Sequence, residues 1–511
     1  MLLGGPYKSD IRDSEVRALL ERVAKRNYSS YLIGLNLTRV RSYTDQQIQF
    51  PFPVTALVGP NGGGKTTVLG AAALIYRDVP PKRFFAKSGK YDKSMQNWKI
   101  EYELLEKSIS SSMLKRTASY LKSKWNRDAV SRRVLIFGVT RTLPASERKE
   151  LARCIAGSFD GFGETKLGSD SVQAVEQILG KKADNYLLVD TDSARKIKLY
   201  AANTSDGDSY SEFHFGAGEA SVIRIVSAIE ETPEGSLILI EEIENGLHPL
   251  ASRRLVEYLI SVARRKSCQI IFTTHSNDAI APLPDEAVWS CGNGQLTQGK
   301  LDVNALRTLT GEVQANLAIF TEDEFAVEMT VAALRNYTQR NSIPLAGVAI
   351  HSLGGWSNAK KLTLSHNENP SISFPAICIL DGDQSHESDP SKAIVHFPGD
   401  SDPELHVAQQ VAKILDVVAA RLCVAFNLTT DQQTRVRSVI QHRINMCTDP
   451  HLLFAQIGED LDFTSEITVA RAFLAQWSQN FPDEVDEIFV PVSHLLPHPP
   501  TEVDMAADSE F

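Results

Sequence analysis

The segment Pro53-Val-Thr-Ala-Leu-Val-Gly-Pro-Asn-Gly-Gly-Gly-Lys-Thr-Thr-Val-Leu-Gly70 decides how the front of this chain folds. Its apolar run predicts a strand, the glycines a tight turn, and the apolar-periodic residues after Lys65 a helix. From Gly59 to Thr66 it satisfies GxxxxGK[ST]. Glycines are needed there because the backbone must curl around phosphate oxygens and aim successive N–H groups at them, helped by the positive end of the following helix. On this reading Gly59, Pro60, Asn61, Gly62, Gly63, Gly64, Lys65, Thr66 and Thr67 cradle a nucleotide. Lys65 neutralises the β and γ phosphates, and Thr66 ligates Mg²⁺.

A triphosphate site needs an acidic partner strand, and Ser236-Leu-Ile-Leu-Ile-Glu-Glu242 supplies one. Adjacent strand residues face opposite ways. Glu241 is therefore expected in the Mg²⁺ shell, while Glu242, aimed differently, orients or deprotonates the attacking water. A second apolar strand, Gln269 to Thr274, runs into His275, which could reach the γ phosphate or serve structure alone. Phe215-Gly-Ala-Gly-Glu219 leads into a helical run ending at Glu230, and backbone amides at such a helix start can bind a second phosphate face.

This order of motifs, with Glu244-Asn-Gly-Leu-His-Pro249 between the acidic strand and His275, resembles the ATP-binding-cassette head of SMC-like proteins and OLD-family ATPases. The resemblance implies that Phe215 to Glu219 is the signature segment, with Gly216, Gly218 and Glu219 at nucleotide, that Glu244 to Pro249 is the D-loop, and that His275 is the switch histidine. It also implies a homodimer in which each head's signature completes the other's ATP site. Two departures stand out: Glu241 replaces the usual aspartate, and Gly216 takes the place of the signature serine, removing a γ-phosphate contact. The strand Tyr31 to Arg41 resembles the start of such heads, and Gln96 is the Q-loop candidate. Residues about 75–205 read as a mostly helical, basic insertion. Within it Lys115, Arg116, Lys122, Lys124, Arg127, Arg132 and Arg133 suit either a nucleic-acid backbone or a solvated helical face. No heptad pattern is sustained, so long coiled coils are not expected. Leu283 to Gly311 reads as a turn-rich join between two units.

Beyond the join, the strand Leu317 to Thr321 ends in Glu322-Asp323-Glu324 and leads into an amphipathic helix. Ala346 to His351 is a second strand, followed by the turn Ser352 to Asn358, and Ala376 to Leu380 is a third, ending in Asp381-Gly-Asp383. Strand, helix, strand, turn, strand predicts a parallel sheet with ligands at its carboxyl ends. In an extended segment residues i and i+2 point the same way, so Asp381 and Asp383 are expected to face one site with Glu322, and Gly382 permits a tight approach. Three converging carboxylates repel unless they share a divalent cation, Mg²⁺ or Mn²⁺. The pattern resembles the Toprim domain of topoisomerases, primases and OLD-family nucleases, and Phe397 to Glu404 resembles a later acid-bearing segment of OLD-like proteins, which makes Glu404 a fourth metal candidate. Many Toprim domains have glycine where this chain has Asp323. Lys360 or Lys361 is expected to neutralise transition-state charge. Residues 406–511 read as helices without chemistry, ending in an acidic, proline-bearing tail.

At 511 residues the chain exceeds one ordinary domain, and 42% hydrophobic with 23% charged residues is normal for a globular protein. Its net charge of −10 hides an asymmetry: residues 311–511 hold 11 Lys and Arg against 28 Asp and Glu, leaving a basic front. Nucleic-acid binding and solvated faces of opposite sign both accommodate that split. The six cysteines form no CxxC pair, and no apolar span or signal peptide is visible, which together suit a cytoplasmic, reduced setting.

The expected architecture is thus α/β: an ABC-type P-loop ATPase head over residues 1–300, a Toprim-like parallel α/β domain over 312–405, and a helical region over 406–511. As a whole the resemblance implies an OLD-like, ATP- and metal-dependent DNA endonuclease of bacterial anti-phage defence, acting as a homodimer or higher oligomer without a membrane partner. The alternative is an ATP-dependent sensor or scaffold whose silent Toprim-like domain binds and releases a separate effector protein.

Overall fold

Strands that are apolar along their whole length bury both faces, which favours parallel pairing beneath helices. The computed structural model describes residues 11–88, 91–155, 159–194, 197–203, 208–292, 294–300, 308, 315–370 and 372–497. The first ten residues and the tail beyond Pro497 lie outside them. The chain divides into two compact units, Met1–Val303 and Asn304–Phe511.

In the first unit, Val54–Val58, Leu237–Ile240 and Gln269–Thr274 are buried at every position. They sit in a six-stranded sheet ordered Gln295–Gln298, Val288–Gly292, Val54–Val58, Gln269–Thr274, Leu237–Ile240, Val134–Phe137. Every pairing is parallel except the first, which is an edge hairpin. The join expected over Leu283 to Gly311 is therefore corrected: Val288–Gly292 pairs directly with the phosphate-loop strand, because its short apolar run is buried.

The mostly helical insertion is corrected too. Between residues 75 and 205 the described residues carry seven strands and one α-helix, Ser169–Leu179. Trp98–Glu106, Leu114–Leu121 and Lys124–Arg127 complete an antiparallel sheet begun by Ser30–Val40 and Tyr43–Gln49. Lys115 and Lys124 lie exposed on the face opposite Ala118 and Tyr120, which enter a core shared with Leu57, Leu237 and Ile271, while Arg116 and Arg127 share the inner face and Arg127 donates to the Leu74 and Tyr76 carbonyls. Period-two burial is what a half-covered antiparallel sheet demands.

The second unit holds a parallel sheet ordered Val348–Ser352, Leu317–Thr321, Ala376–Leu380, Ile394–His396. Helices Glu324–Asn341 and Trp356–Asn367 connect the first three strands in sequence. The third strand lies on the opposite side of the first from the second, so chain direction switches between Leu317–Thr321 and Ala376–Leu380, where a crevice opens at the carboxyl ends. Among the described residues of 406–497, the helices pack into the core of the sheet and are not a separate region. Val407, Phe454, Trp477 and Phe489 share one core with Leu317, Ile319, Ile377 and Ile379, since the apolar face of the sheet needs those helices as its cover.

Trp477 has no exposed surface, and its indole Nε1 donates to Glu484 Oε2 at 2.6 Å. Trp477→Ala is expected to destabilise the second unit by about 3–5 kcal/mol, read from denaturant unfolding followed by circular dichroism.

Candidate functional site

The phosphate loop leaves Val58 and enters helix Lys65–Leu74, with Gly59, Gly62 and Gly64 at φ of 144°, 77° and 97°. Those angles exclude ordinary side chains, and a Cβ on Gly59 would strike the Cys291 carbonyl of the neighbouring strand. The loop borders a cleft of about 490 Å³ lined by Arg41, Ser42, residues 61–67, Val139, Glu241, Glu242 and Thr273. Lys65 is buried beneath it, its Nζ donating to the carbonyls of Gly59 at 2.7 Å and Pro60 at 2.8 Å. Arg41 Nη1 donates to Thr67 Oγ1 at 2.8 Å, and the Tyr43 hydroxyl donates to the Gly63 carbonyl at 2.9 Å.

Both acids after Ile240 line the same cleft, which corrects the alternation argument. The strand has ended, and Glu242 turns back at φ 47° with its amide donating to Thr273 Oγ1 at 2.8 Å. Burial holds the Glu241 carboxyl above its usual range; Arg83 counters this and Glu242 adds to it. Sequence reasoning missed Arg141, a buried guanidinium that donates to the backbone carbonyls of Glu241 and Glu242 at 2.5 Å each and to Ser221 Oγ at 3.0 Å. Burial lowers its pKa to about 10, against the pull of Glu244, Glu242 and Glu241.

The other expected nucleotide residues are absent from the lining of this cleft. Gly216 is exposed and caps helix Ala217–Glu230. Gly218 packs so closely on the Gly246 carbonyl that a Cβ would overlap it. Glu219 pairs with Lys181 at 2.7 Å and accepts from the Tyr186 hydroxyl. His275 is half-buried at the end of its strand; its amide donates to Glu244 Oε1 at 2.6 Å, while Thr274 Oγ1 donates to Glu244 Oε2 at 2.7 Å. Gln96 is exposed.

In the second unit the switch point gathers acids. Phe320 and Cys378 are register partners, so Asp381 leaves its strand level with Asp323, one residue beyond Glu322 on the adjacent strand. The extended-segment argument for Asp381 and Asp383 is corrected: residues Gly382–Glu387 form a 3₁₀ turn, with Asp381 buried and Asp383 exposed. Gly382 does permit close packing, but of backbone, since a Cβ would overlap the Gly399 carbonyl. That contact places the Phe397 to Glu404 segment beside the aspartates. Burial pushes the Asp381 carboxyl up to about 8, assisted by the charges of Glu322, Asp323, Glu404 and Asp383. Glu322 is raised by burial and by Asp323 and Asp383. Glu404 is raised by burial, which outweighs its 2.9 Å hydrogen bond to His451 Nδ1. Asp381 Oδ1 is buried with no hydrogen-bond partner among the described residues. A divalent cation fits this donor set of buried, mutually repelling oxygens with an unsatisfied acceptor.

Asp323, Asp402 and His451 were not among the expected site residues. Asp323 stood in the quoted acidic run, but nothing in the sequence links His451 to it. Lys360 is ion-paired to Glu387 at 2.5 Å, and Lys361 is exposed.

A family model described as "AAA domain, putative AbiEii toxin, Type IV TA system" matches residues 111–281, and another described as "AAA domain" matches residues 35–149. Among solved structures, the SMC head domain from Thermotoga maritima is 12% identical with a TM-score of 0.34, over 52% of this chain and 98% of that one. A Smc head domain bound to the C-terminal domain of ScpA, derived from Pyrococcus furiosus, is 10% identical with a TM-score of 0.37, over 52% and 95%. The recombination mediator protein RecF with ATP is 12% identical with a TM-score of 0.33, over 53% and 99%. No curated protein matches the chain. No helix among the described residues is long and apolar enough to cross a membrane. Both AAA-domain matches fall within the N-terminal unit, which carries the phosphate loop.

Because the folded state holds the Asp381 proton up to about pH 8 while the unfolded chain releases it near 3.8, the associated stability is complete at low pH and is lost as pH rises through that window. Glu322 and Glu404, also raised, act in the same direction. With chelator present, the melting temperature of the second unit is expected to fall between pH 5 and 9. Asp381→Asn flattens the fall, and Mg²⁺ or Mn²⁺ reverses it at the alkaline end.

Proposed function

We propose that the protein is an OLD-like enzyme whose ATPase head controls a Toprim-like, divalent-metal DNA endonuclease in the cytoplasm, serving bacterial anti-phage defence. The observation that carries this reading is the convergence of Glu322, Asp381 and Asp383, with Glu404, at the carboxyl ends of two adjacent parallel strands. A carboxyl raised to about 8 by burial, with four acidic neighbours adding to it, is poor structural material and good cation ligand material. Divalent cations bound there supply an activated water and a counter-charge for the leaving oxygen of a phosphodiester. Glu322, Asp381, Asp383 and Glu404 hold them, and the basic front of the chain adds attraction for a polyanion.

In the head, Lys65 neutralises the β and γ phosphates of ATP. Thr66 and Glu241 hold Mg²⁺, and Glu242, aimed into the cleft from its left-handed backbone, orients water. Placing Gly216, Gly218, Glu219 and His275 at the nucleotide rests on a second copy of the chain bringing its signature helix to the cleft. That supports an ATP-sandwiched homodimer, since Gly216 stands exposed at a helix start whose amides are suited to phosphate.

The test is plasmid nicking with Mg²⁺ or Mn²⁺, with and without ATP, run beside ATP turnover. The wild type is expected to nick, and Asp381→Asn to lose cleavage by at least about 100-fold while retaining ATP turnover. Lys65→Ala is expected to abolish turnover. No cleavage under any metal and nucleotide condition rejects the nuclease and favours the sensor or scaffold that holds a separate effector protein.

A further inference from the structure

We propose that Asp323, Glu404 and His451 form a second cation position of mixed oxygen and nitrogen ligands, suited to Mn²⁺ or Zn²⁺ rather than Mg²⁺, which shares Glu404 with the centre of Glu322, Asp381 and Asp383. The inference rests on reading the acidic cluster as a cation centre, but not on that centre cutting DNA.

One ligand atom from each of the three residues lies within 4.8 Å of the other two. His451 Nδ1 and Glu404 Oε1 are 2.9 Å apart. Two ligands at about 2.1 Å from a metal and at right angles to each other are separated by about 3.0 Å, so this pair already stands at bite distance. A cation entering there takes the place of the proton the pair shares, which passes to solvent.

The three side chains are held differently, each in a way that suits a ligand. Asp323 caps helix Glu324–Asn341, its Oδ1 accepting from the Ala326 amide at 2.8 Å. A carboxylate has lone pairs on both oxygens, so capping fixes its orientation without exhausting its capacity. Glu404 is 5% exposed in the first turn of helix Pro403–Lys413. A carboxylate that deep needs a cationic partner. The His451 side chain is 58% exposed, which opens the position to solvent. Imidazole is a good ligand for Mn²⁺ and Zn²⁺ and a poor one for Mg²⁺, which prefers oxygen and retains water.

A separate observation points to the same place. Asp381 is 7% exposed, its Oδ1 lacks a hydrogen-bond partner among the described residues, and the charges of Asp323 and Glu404 bear directly on it. An unsatisfied buried acceptor facing two further carboxylates is completed by a cation, not by a neutral donor on one side.

The experiment is pulsed EPR of the full-length protein loaded with stoichiometric Mn²⁺, which reports a directly bound imidazole as nitrogen modulation. The wild type is expected to show that coupling, and to keep it in excess Mg²⁺. His451→Ala is expected to abolish it and to weaken Mn²⁺ binding about tenfold or more. His451→Gln, which preserves a hydrogen bond to Glu404, gives the same loss of nitrogen coupling and excludes a folding defect. Absence of the coupling in the wild type, or its survival in His451→Ala, overturns the proposal. Asp383→Asn separates the two readings: coupling that persists while plasmid cleavage disappears supports both. Coupling in a wild type that never cleaves sinks the nuclease alone.

Discussion

Electrostatic repulsion among carboxylates at the ends of buried strands is the constraint around which the second unit is arranged. Two charges about 4 Å apart repel by about 4 kcal/mol at an effective dielectric constant of 20. A typical hydrogen bond contributes about 1 kcal/mol net. Hydrogen bonds such as His451 to Glu404 therefore cannot hold Glu322, Asp323, Asp381 and Glu404 together as anions. Protonation or a bound cation must. The sheet leaves no alternative location, because strands buried on both faces offer only their ends for polar chemistry, and the switch of chain direction opens a crevice at one pair of ends.

The head meets the same constraint with a fixed cation. Arg141 is buried against the turn that carries Glu241 and Glu242, and it spends its donors on their backbone carbonyls and on Ser221 of the helix Ala217–Glu230. The acids are thus partly neutralised without having their carboxylate oxygens occupied. That leaves those oxygens for the cleft, while the acidic turn and the signature helix are tied through one side chain.

How much of this is legible in sequence follows from how local each feature is. The phosphate loop is written in consecutive residues whose spacing has one physical use, and the strands ending in Glu241, Thr274, Glu322 and Asp381 announce themselves by unbroken apolar runs. The antiparallel sheet of residues 98–127 is hidden because basic residues on both faces dilute the alternation, so charge masks a period of two. Glu241 and Glu242 defeat strand logic because the chain leaves the strand one residue earlier. Arg141 and His451 are invisible for a different reason: Arg141 acts on Glu241, 100 residues away, and His451 on Glu404, 47 away, through contacts that only the folded chain creates.

The contact between Gly218 and Gly246 joins the start of the signature helix to the D-loop through bare backbone, with no side chain between them to yield. Flexible side chains absorb small displacements, whereas abutting peptide planes transmit them. A displacement of the helix start is passed to Glu244 and, through its two hydrogen bonds, to Thr274 and His275. The pair of glycines thus couples the start of the helix to the geometry of the turn that holds Thr274 and His275.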